Sequence, residues 1–274
     1  MTHPYDSMLL ISDIDGTFIT EQGYLPERNL QAARDFMDRG GRFAFATGRS
    51  VVGTAPYADK AAVNTPCIVC NGGGIYDFAE QKMLWSRPMP AHYGEVIDLI
   101  RVRFPDVGIE IYAGSAVYYA NKNAFTTEHT TRQGIVAEDC PGGVYPKQAN
   151  KILFCADRPR LLEVSAFVDT LENGGWEPVF SSPFFYELLP QGISKGAAID
   201  VLADMLGIAT DNVACIGDYY NDLEMLMTCP ISAAPAEAPE EIRRVAKITV
   251  GPCESGAVAD LIAYLERKRA RHIG

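Results

Sequence analysis

The chain has 274 residues, a hydrophobic content of 47% and a formal net charge of −11. This length accommodates one large domain or two modest ones, and the composition is typical of a globular protein that buries a core. The acidic balance provides no basic face, so we expect no nucleic-acid partner, whereas a bound cation can still create a site for a small anion.

The N-terminal segment shows no targeting signal. Residues 1–7 are polar and lack a basic region, and the apolar stretch Met8–Ser12 is too short for a signal sequence or a membrane span. The seven cysteines are scattered, and the pair Cys67 and Cys70 lies in an apolar run without a second pair at metal-ligand spacing. We therefore expect a cytoplasmic protein with no membrane partner, acting as a monomer or a small homo-oligomer.

Predicted strands and helices alternate in the first third of the chain. Strands are predicted at Met8–Ser12, Arg42–Ala46 and Cys67–Cys70, separated by helices at Glu27–Arg39 and Val51–Lys60. This order implies an α/β fold with a doubly wound parallel sheet. Each strand ends in polar or glycine-rich residues, and ligands bind beyond the carboxyl ends of such strands. We therefore place one active site at that edge.

The middle of the chain mixes hairpins with helices, and the last third returns to alternation. The pattern indicates an α+β module inserted into the first domain. The polar stretch Thr126–Gln148 has no clear period and stays undefined. We predict a core domain of residues 1–81 and 190–274 and an inserted domain of residues 82–189.

Asp13 and Asp15 follow the first predicted strand. Alternation along an extended chain would place both side chains on one face. Two carboxylates this close are costly unless a cation or a proton relieves them. One could attack a substrate while the other moves protons, or both could cap the turn before Gly16. Spacing alone does not decide which carboxylate attacks.

A second acidic cluster begins at Gly217 and follows another apolar strand. Asp218 is placed to coordinate a hard cation such as Mg²⁺, and backbone N–H groups at the start of the next helix could face an anion. Helix capping by Asp218 or Asn221 is the alternative. Capping would explain one acid, but not two acids facing two others.

Two further elements suit a phosphate. Thr47 and the backbone of Gly48 and Arg49 end the second strand and offer a hydroxyl and N–H groups as a cradle. Lys195 begins a predicted helix, where its charge opposes the helix dipole. A nearby anion explains that placement better than helix stability does, although a solvated surface lysine is the alternative.

Five motifs occur in one order along the chain: DIDGT (Asp13–Thr17), ATGR (Ala46–Arg49), CNGG (Cys70–Gly73), ISKG (Ile193–Gly196) and GDYYNDLEML (Gly217–Leu226). In these motifs the sequence resembles the haloacid dehalogenase (HAD) superfamily of phosphohydrolases, in particular its Cof-type branch, subfamily IIB with a C2B cap. The resemblance covers essentially the whole chain.

This resemblance implies a role for each motif. Asp13 would be the nucleophile that forms an aspartyl-phosphate, and Asp15 the general acid and base. Thr47 would hold the transferring phosphoryl group, and Lys195 would neutralise it. The remaining implied phosphate contacts are Gly48, Arg49, Asn71 and Asn221. The implied Mg²⁺ ligands are Asp13, the backbone carbonyl of Asp15, Asp218 and Asp222, with Asp222 acting through a metal-bound water or through Lys195.

The resemblance also makes the inserted domain a cap that shapes substrate choice. Candidate cap contacts are His129, Arg132 and Lys147. Tyr219 and Tyr220 stand where smaller residues are commoner in the family, so Tyr219 could narrow the pocket or simply pack. We expect a Mg²⁺-dependent phosphatase acting on a small phosphorylated metabolite, either a sugar phosphate or a phosphorylated cofactor. The alternatives are a sugar phosphomutase and a non-catalytic regulator that binds a phosphorylated metabolite.

Overall fold

The computed structural model describes residues 3–140, 143–171 and 174–273. Within these ranges the strands form a five-stranded sheet, a six-stranded sheet and a small three-stranded sheet. The strands, in chain order, are β1 (Leu9–Ser12), β2 (Arg42–Phe45), β3 (Cys67–Val69), β4 (Gly74–Asp77), β5 (Lys82–Ser86), β6 (Gly108–Ala113), β7 (Ala116–Asn121), β8 (Glu138–Asp139), β9 (Lys151–Cys155), β10 (Trp176–Ser182), β11 (Phe185–Pro190), β12 (Val213–Ile216), β13 (Ile231–Ala234) and β14 (Ile248–Thr249).

Helices connect and cover these sheets. None of the helices in the described ranges is long and apolar enough to cross a membrane. The helices are α1 (Glu27–Asp38), α2 (Val51–Ala61), α3 (Tyr93–Arg103), α4 (Ala124–Gln133), α5 (Arg158–Val168), α6 (Lys195–Leu206), α7 (Leu223–Thr228), α8 (Glu240–Val245) and α9 (Ala257–Ile273).

The five-stranded sheet is entirely parallel, in the order β14-β13-β12-β1-β2. All four residues of β1 are buried, as expected for a central strand covered on both faces. Ser12, the last residue of β1, is in register with Phe45 of β2 and Ile216 of β12. Three strands therefore end at one level, and the residues that follow them converge at one edge.

The strand β3 departs from the prediction that it continues this sheet. It pairs antiparallel with β4 in the three-stranded sheet, and its parallel pairing with the end of β2 is a bridge between Ala46 and Ile68. The chain reverses directly after β3, because Asn71 and Gly72 adopt positive φ angles of 54° and 100°. After this reversal the chain continues into β4, which pairs with β3.

The six-stranded sheet, in the order β10-β11-β9-β6-β7-β8, is antiparallel except where β7 meets β8. Alternate side chains of β6, β9 and β11 pack under α3 and α5, as Ile111 and Phe154 do. The other face packs on the core through Leu153 and Tyr112, which belong to the same buried apolar cluster as Val51 of α2. The predicted combination of a doubly wound parallel core with an inserted α+β cap is confirmed.

The cap contains one helix that the sequence pattern left undefined. Helix α4 is capped by Asn123, whose side chain accepts a hydrogen bond from Thr126 N at 2.9 Å. The boundary at residue 82 stays a prediction. In the structure β5, which begins there, pairs with β4.

Candidate active site

Asp13 leaves the end of β1 while still held by the sheet, because its N–H donates to the carbonyl of Ile216 at 2.9 Å. The chain then turns at Gly16, which has a φ of +81°. A Cβ at this position would lie 2.4 Å from Oδ2 of Asp218. Glycine is therefore required both by the backbone angle and by the close approach of the second acidic loop.

Lys195 lies at the centre of the acidic cluster. It is fully buried at the first turn of α6, and its Nζ donates to Oδ1 of Asp13 and to Oδ1 of Asp222, each at 2.6 Å. Burial opposes the charged ammonium, but the two carboxylates outweigh burial and raise the pKa of Lys195. The solvated-lysine alternative is thereby excluded.

Asp222 uses both carboxylate oxygens inside the protein. While Oδ1 accepts from Lys195, Oδ2 accepts from the backbone N–H groups of Asp218 at 2.9 Å and Tyr219 at 3.1 Å. It therefore fixes the loop that carries Asp218 and holds Lys195 in place. These contacts support the predicted action of Asp222 through Lys195.

The carboxylates of Asp13, Asp218 and Asp222 each offer an oxygen, and these three oxygens lie within 4.8 Å of one another. Burial, together with the neighbouring charges, raises the pKa of Asp218 well above its usual value. Burial likewise raises the pKa of Asp13 to about 7, against the pull of Lys195. One ammonium cannot balance the charge of three carboxylates, so the cluster favours a bound cation. Carboxylate oxygens are the ligands that Mg²⁺ prefers. The residues present therefore fit this ion.

Asp15 is turned away from that cluster and paired with Arg49. The guanidinium donates from Nε to Oδ2 at 2.7 Å and from Nη2 to Oδ1 at 2.6 Å, and Nη1 donates to the carbonyl of Gly53 at 3.2 Å. Burial alone would raise the pKa of Asp15, but the hydrogen bonds and charge of Arg49 lower it. These three hydrogen bonds use three of the five guanidinium N–H donors, so Nη1 and Nη2 each keep one N–H for the predicted contact with phosphate.

The remaining predicted phosphate contacts lie on three linked segments, which follow β2, β3 and β12. Thr47 Oγ1 accepts from the N–H of Arg49 at 3.1 Å, and its carbonyl accepts from the N–H of Asn71 at 2.9 Å. The side chain of Asn221 donates to Oδ1 of Asn71 at 2.9 Å. The structure thus brings together all the motif residues that the sequence singled out.

A cavity of about 340 Å³ opens between the parallel sheet and the cap. Lys195, Asn71 and Asp222 lie behind its surface rather than on it. The core residues that line it include Asp13, Asp15, Thr47, Gly48, Arg49, Asp218, Tyr219 and Asn221.

Two of the three predicted cap contacts line this cavity. His129 and Arg132 do so from α4, whereas Lys147 is exposed and does not line it. Tyr219 also lines the cavity, while Tyr220 is directed to the surface, where its hydroxyl donates to Glu241 at 2.6 Å. Of the two tyrosines, Tyr219 is therefore the one placed to narrow the pocket, which stays a prediction.

Sequence reasoning missed several cap residues that line the cavity, among them Lys151 and Glu187. A usable signal was present, since each is a charged residue in an otherwise apolar strand. The alternation of β9 and β11 then places both on the face opposite the cap helices. The other missed lining residues are Glu21, Phe125, Glu128, Gln133, Leu153, Ser181, Ser182, Pro183, Phe184 and Phe185.

The motif order now has support from comparison with known proteins. The sequence profile of the haloacid dehalogenase-like hydrolases matches residues 10–262. The chain belongs to the haloacid dehalogenase-like hydrolase family. The predicted HAD membership, Cof-type character and phosphatase activity are confirmed.

Several relatives match this HAD chain over most of its length. The pyridoxal phosphate phosphatase YbhA of Escherichia coli is 24% identical over 265 residues, which cover 91% of this chain and 95% of that protein. An HMP-PP phosphatase of Yersinia pseudotuberculosis is 26% identical over 260 residues, covering 92% and 93%.

Solved structures show the same fold. A HAD-like hydrolase from Bacteroides thetaiotaomicron has a TM-score of 0.82 at 24% identity, covering 94% of this chain and 99% of that one. A sugar phosphatase of HAD subclass IIB has the same TM-score at 17% identity, with the same coverage.

Proposed function

We propose that the protein is a Mg²⁺-dependent phosphatase that hydrolyses a small phosphorylated metabolite through an aspartyl-phosphate on Asp13. The observation that carries this proposal is the contact between Asp13 and Lys195, 2.6 Å long and buried at the floor of the cavity. Among the described side chains, Lys195 is the one that hydrogen-bonds to Asp13, and it occupies only Oδ1. The second oxygen is left for a metal ion or for attack on phosphorus.

Mg²⁺ would be held by Asp13 and Asp218, with Asp222 behind them and the backbone carbonyl of Asp15 as the further predicted ligand. When bound, it would neutralise charge on the phosphoryl oxygens. Lys195 orients the Asp13 carboxylate and balances its charge. Phosphoryl transfer depends mainly on such placement and charge neutralisation.

The reaction takes place in two displacements. In the first, a carboxylate oxygen of Asp13 bonds to phosphorus, the ester P–O bond breaks, and the leaving oxygen takes a proton from Asp15. In the second, water attacks phosphorus, Asp15 accepts its proton, and the bond to Asp13 breaks to release phosphate. The ionised Asp15 held by Arg49 is the form required in the second displacement. The proton that Asp15 takes from water there gives the acid form that the next first displacement uses, after the pair with Arg49 has opened.

Aromatic rings line the leaving-group end of the cavity. Phe125 and Phe184 stack with ring centroids 5.7 Å apart, and Phe185 meets the ring of His129 at 4.6 Å. Aromatic faces favour offset stacking with another planar ring. We therefore propose that a phosphorylated cofactor with a planar ring, such as pyridoxal phosphate, is preferred over a sugar phosphate.

A substrate panel with Mg²⁺ tests both parts of this proposal. Phosphate release from p-nitrophenyl phosphate should require Mg²⁺ and disappear in Asp13→Ala. The Phe125→Ala variant should lose kcat/KM for pyridoxal phosphate more than for a sugar phosphate. Undiminished turnover by Asp13→Ala would contradict the mechanism. Isomerised sugar phosphate would favour a phosphomutase, and binding without turnover would favour a regulator.

A further inference from the structure

The cap carries buried charges on the face that covers the active site. Lys151 and Glu187 are each only 2% exposed, and Glu110, on the adjoining strand, is fully buried. Burying an ion pair costs desolvation that its mutual attraction often fails to repay, so such pairs are weak evidence for a role in stability. A reason for their presence must come from what they contact.

Lys151 and Glu187 form an ion pair with 3.1 Å between Nζ and Oε2. Each also reaches across to the core. Nζ of Lys151 donates to the carbonyl oxygen of Gly48 at 2.7 Å, and Oε2 of Glu187 accepts from the side chain of Asn71 at 2.6 Å. Ser181 donates to the other oxygen of Glu187 and fixes its rotamer.

The two core partners belong to the two loops that frame the phosphate site. Gly48 directly follows Thr47, and Asn71 accepts a hydrogen bond from Asn221. One ion pair on the cap therefore joins three elements that come from distant parts of the chain: the loop after β2, the turn after β3 and the loop after β12. When the cap moves away, Gly48 and Asn71 lose these contacts together.

We propose that Lys151 and Glu187 are positioning residues that set the two phosphate-binding loops when the cap docks on the core. This inference rests on the proposed function. The pair acts through Gly48 and Asn71 on the phosphoryl group, which every substrate shares. Because both residues also line the cavity, the competing possibility is direct contact with the leaving group.

Inorganic phosphate separates these two roles, because it has no leaving group. We would measure its dissociation constant by calorimetry with Mg²⁺ present, and kcat/KM for three esters with different leaving groups. The variants are Lys151→Met and Glu187→Gln. The matched control is Lys122→Met, which removes a half-exposed lysine of the cap that pairs with Asp139 at 2.9 Å.

Positioning predicts that both variants bind inorganic phosphate about tenfold or more weakly, the scale of a lost charge-assisted hydrogen bond. The loss of kcat/KM should be the same for all three esters. The double variant should bind inorganic phosphate as tightly as the single variant with the lower affinity. Lys122→Met should behave as wild type. Unchanged phosphate affinity, or a loss that depends on the leaving group, would overturn the inference.

Two safeguards keep the result interpretable. Glu187→Gln nearly preserves side-chain shape, so it serves even if Lys151→Met fails to fold. If the wild-type protein binds phosphate and hydrolyses esters, and both variants do so equally well, this inference is contradicted but the proposed function is not. A wild-type protein that neither binds phosphate nor turns over contradicts the proposed function.

Discussion

The guanidinium of Arg49 holds the carboxylate of Asp15 by two parallel hydrogen bonds, at 2.7 and 2.6 Å. This contact fixes the group that we propose as general acid and base. We expect Arg49→Met to lower kcat by about 10- to 100-fold, because Asp15 loses its fixed orientation.

Lysine cannot reproduce the two-pronged contact, so Arg49→Lys should fall between wild type and Arg49→Met. The measurement is steady-state kinetics on p-nitrophenyl phosphate. Lys60→Met is the matched control, since Lys60 is exposed and approaches the same Tyr57 ring as Arg49. Equal activity of Arg49→Met and wild type would show that Asp15 does not need this partner.

Lys195 is a buried cation whose loss would leave two carboxylates unpaired. We expect Lys195→Met to reduce the free energy of unfolding by about 3–5 kcal/mol, the usual cost of breaking a buried ion pair. Adding Asp222→Asn removes one of the stranded charges, so the double variant should be more stable than Lys195→Met. Urea denaturation without divalent ions measures both, with the exposed Lys147→Met as control. Simple additivity would contradict the proposed coupling.

Asp218 carries a raised pKa because it is buried beside Asp13 and Asp222. Without Mg²⁺, Asp218→Asn should be more stable than wild type, because one crowded charge is gone. With Mg²⁺ at 100 times its dissociation constant, wild type should gain about 2.7 kcal/mol and the variant far less. Thermal melts with and without Mg²⁺ measure this reversal. The exposed Asp211→Asn should follow wild type, and an equal Mg²⁺ response in Asp218→Asn would remove Asp218 from the metal site.

Gly53 lies in α2 against the tip of a cap side chain. A Cβ there would come within 2.4 Å of Oε1 of Gln133, whose Nε2 is 2.6 Å from Nε2 of His129. Gly53→Ala should change stability by no more than about 1 kcal/mol, because helix propensity gains offset the displacement of a flexible side chain. Its kcat/KM should fall several-fold. In a Gln133→Ala background, Gly53→Ala should have no further effect, and a persisting loss would point to a different obstruction.

The acidic core of the site was predictable because its residues follow apolar strands directly. Parallel strands end at one edge, so Asp13 after β1, Thr47 after β2 and Asp218 after β12 had to converge. The choice of Asp13 rather than Asp15 as nucleophile came from family resemblance. In the structure Asp13 contacts Lys195 whereas Asp15 pairs with Arg49, and this difference supports the proposed assignment.

Other features were beyond prediction for identifiable physical reasons. Helix α4 buries Thr126, His129 and Thr130, so it shows no apolar period that would reveal it. The contact between Asn71 and Glu187 joins residues 116 positions apart, and no local pattern encodes it. The small sheet around β3 depends on a reversal at Asn71 and Gly72, where only the folded chain shows the positive φ angles.

The hydrogen bond from Thr17 to Asp218 spans 201 residues of chain. During synthesis at about 5–20 residues per second, β1 therefore waits on the order of ten seconds or more before β12 emerges to pair with it. The cap strands β6 to β11 emerge within that interval, and the strands with which they pair emerge in the same interval. All the described strands of the cap sheet therefore emerge before the core sheet is complete, and until β12 emerges β1 has β2 as its one neighbour in that sheet.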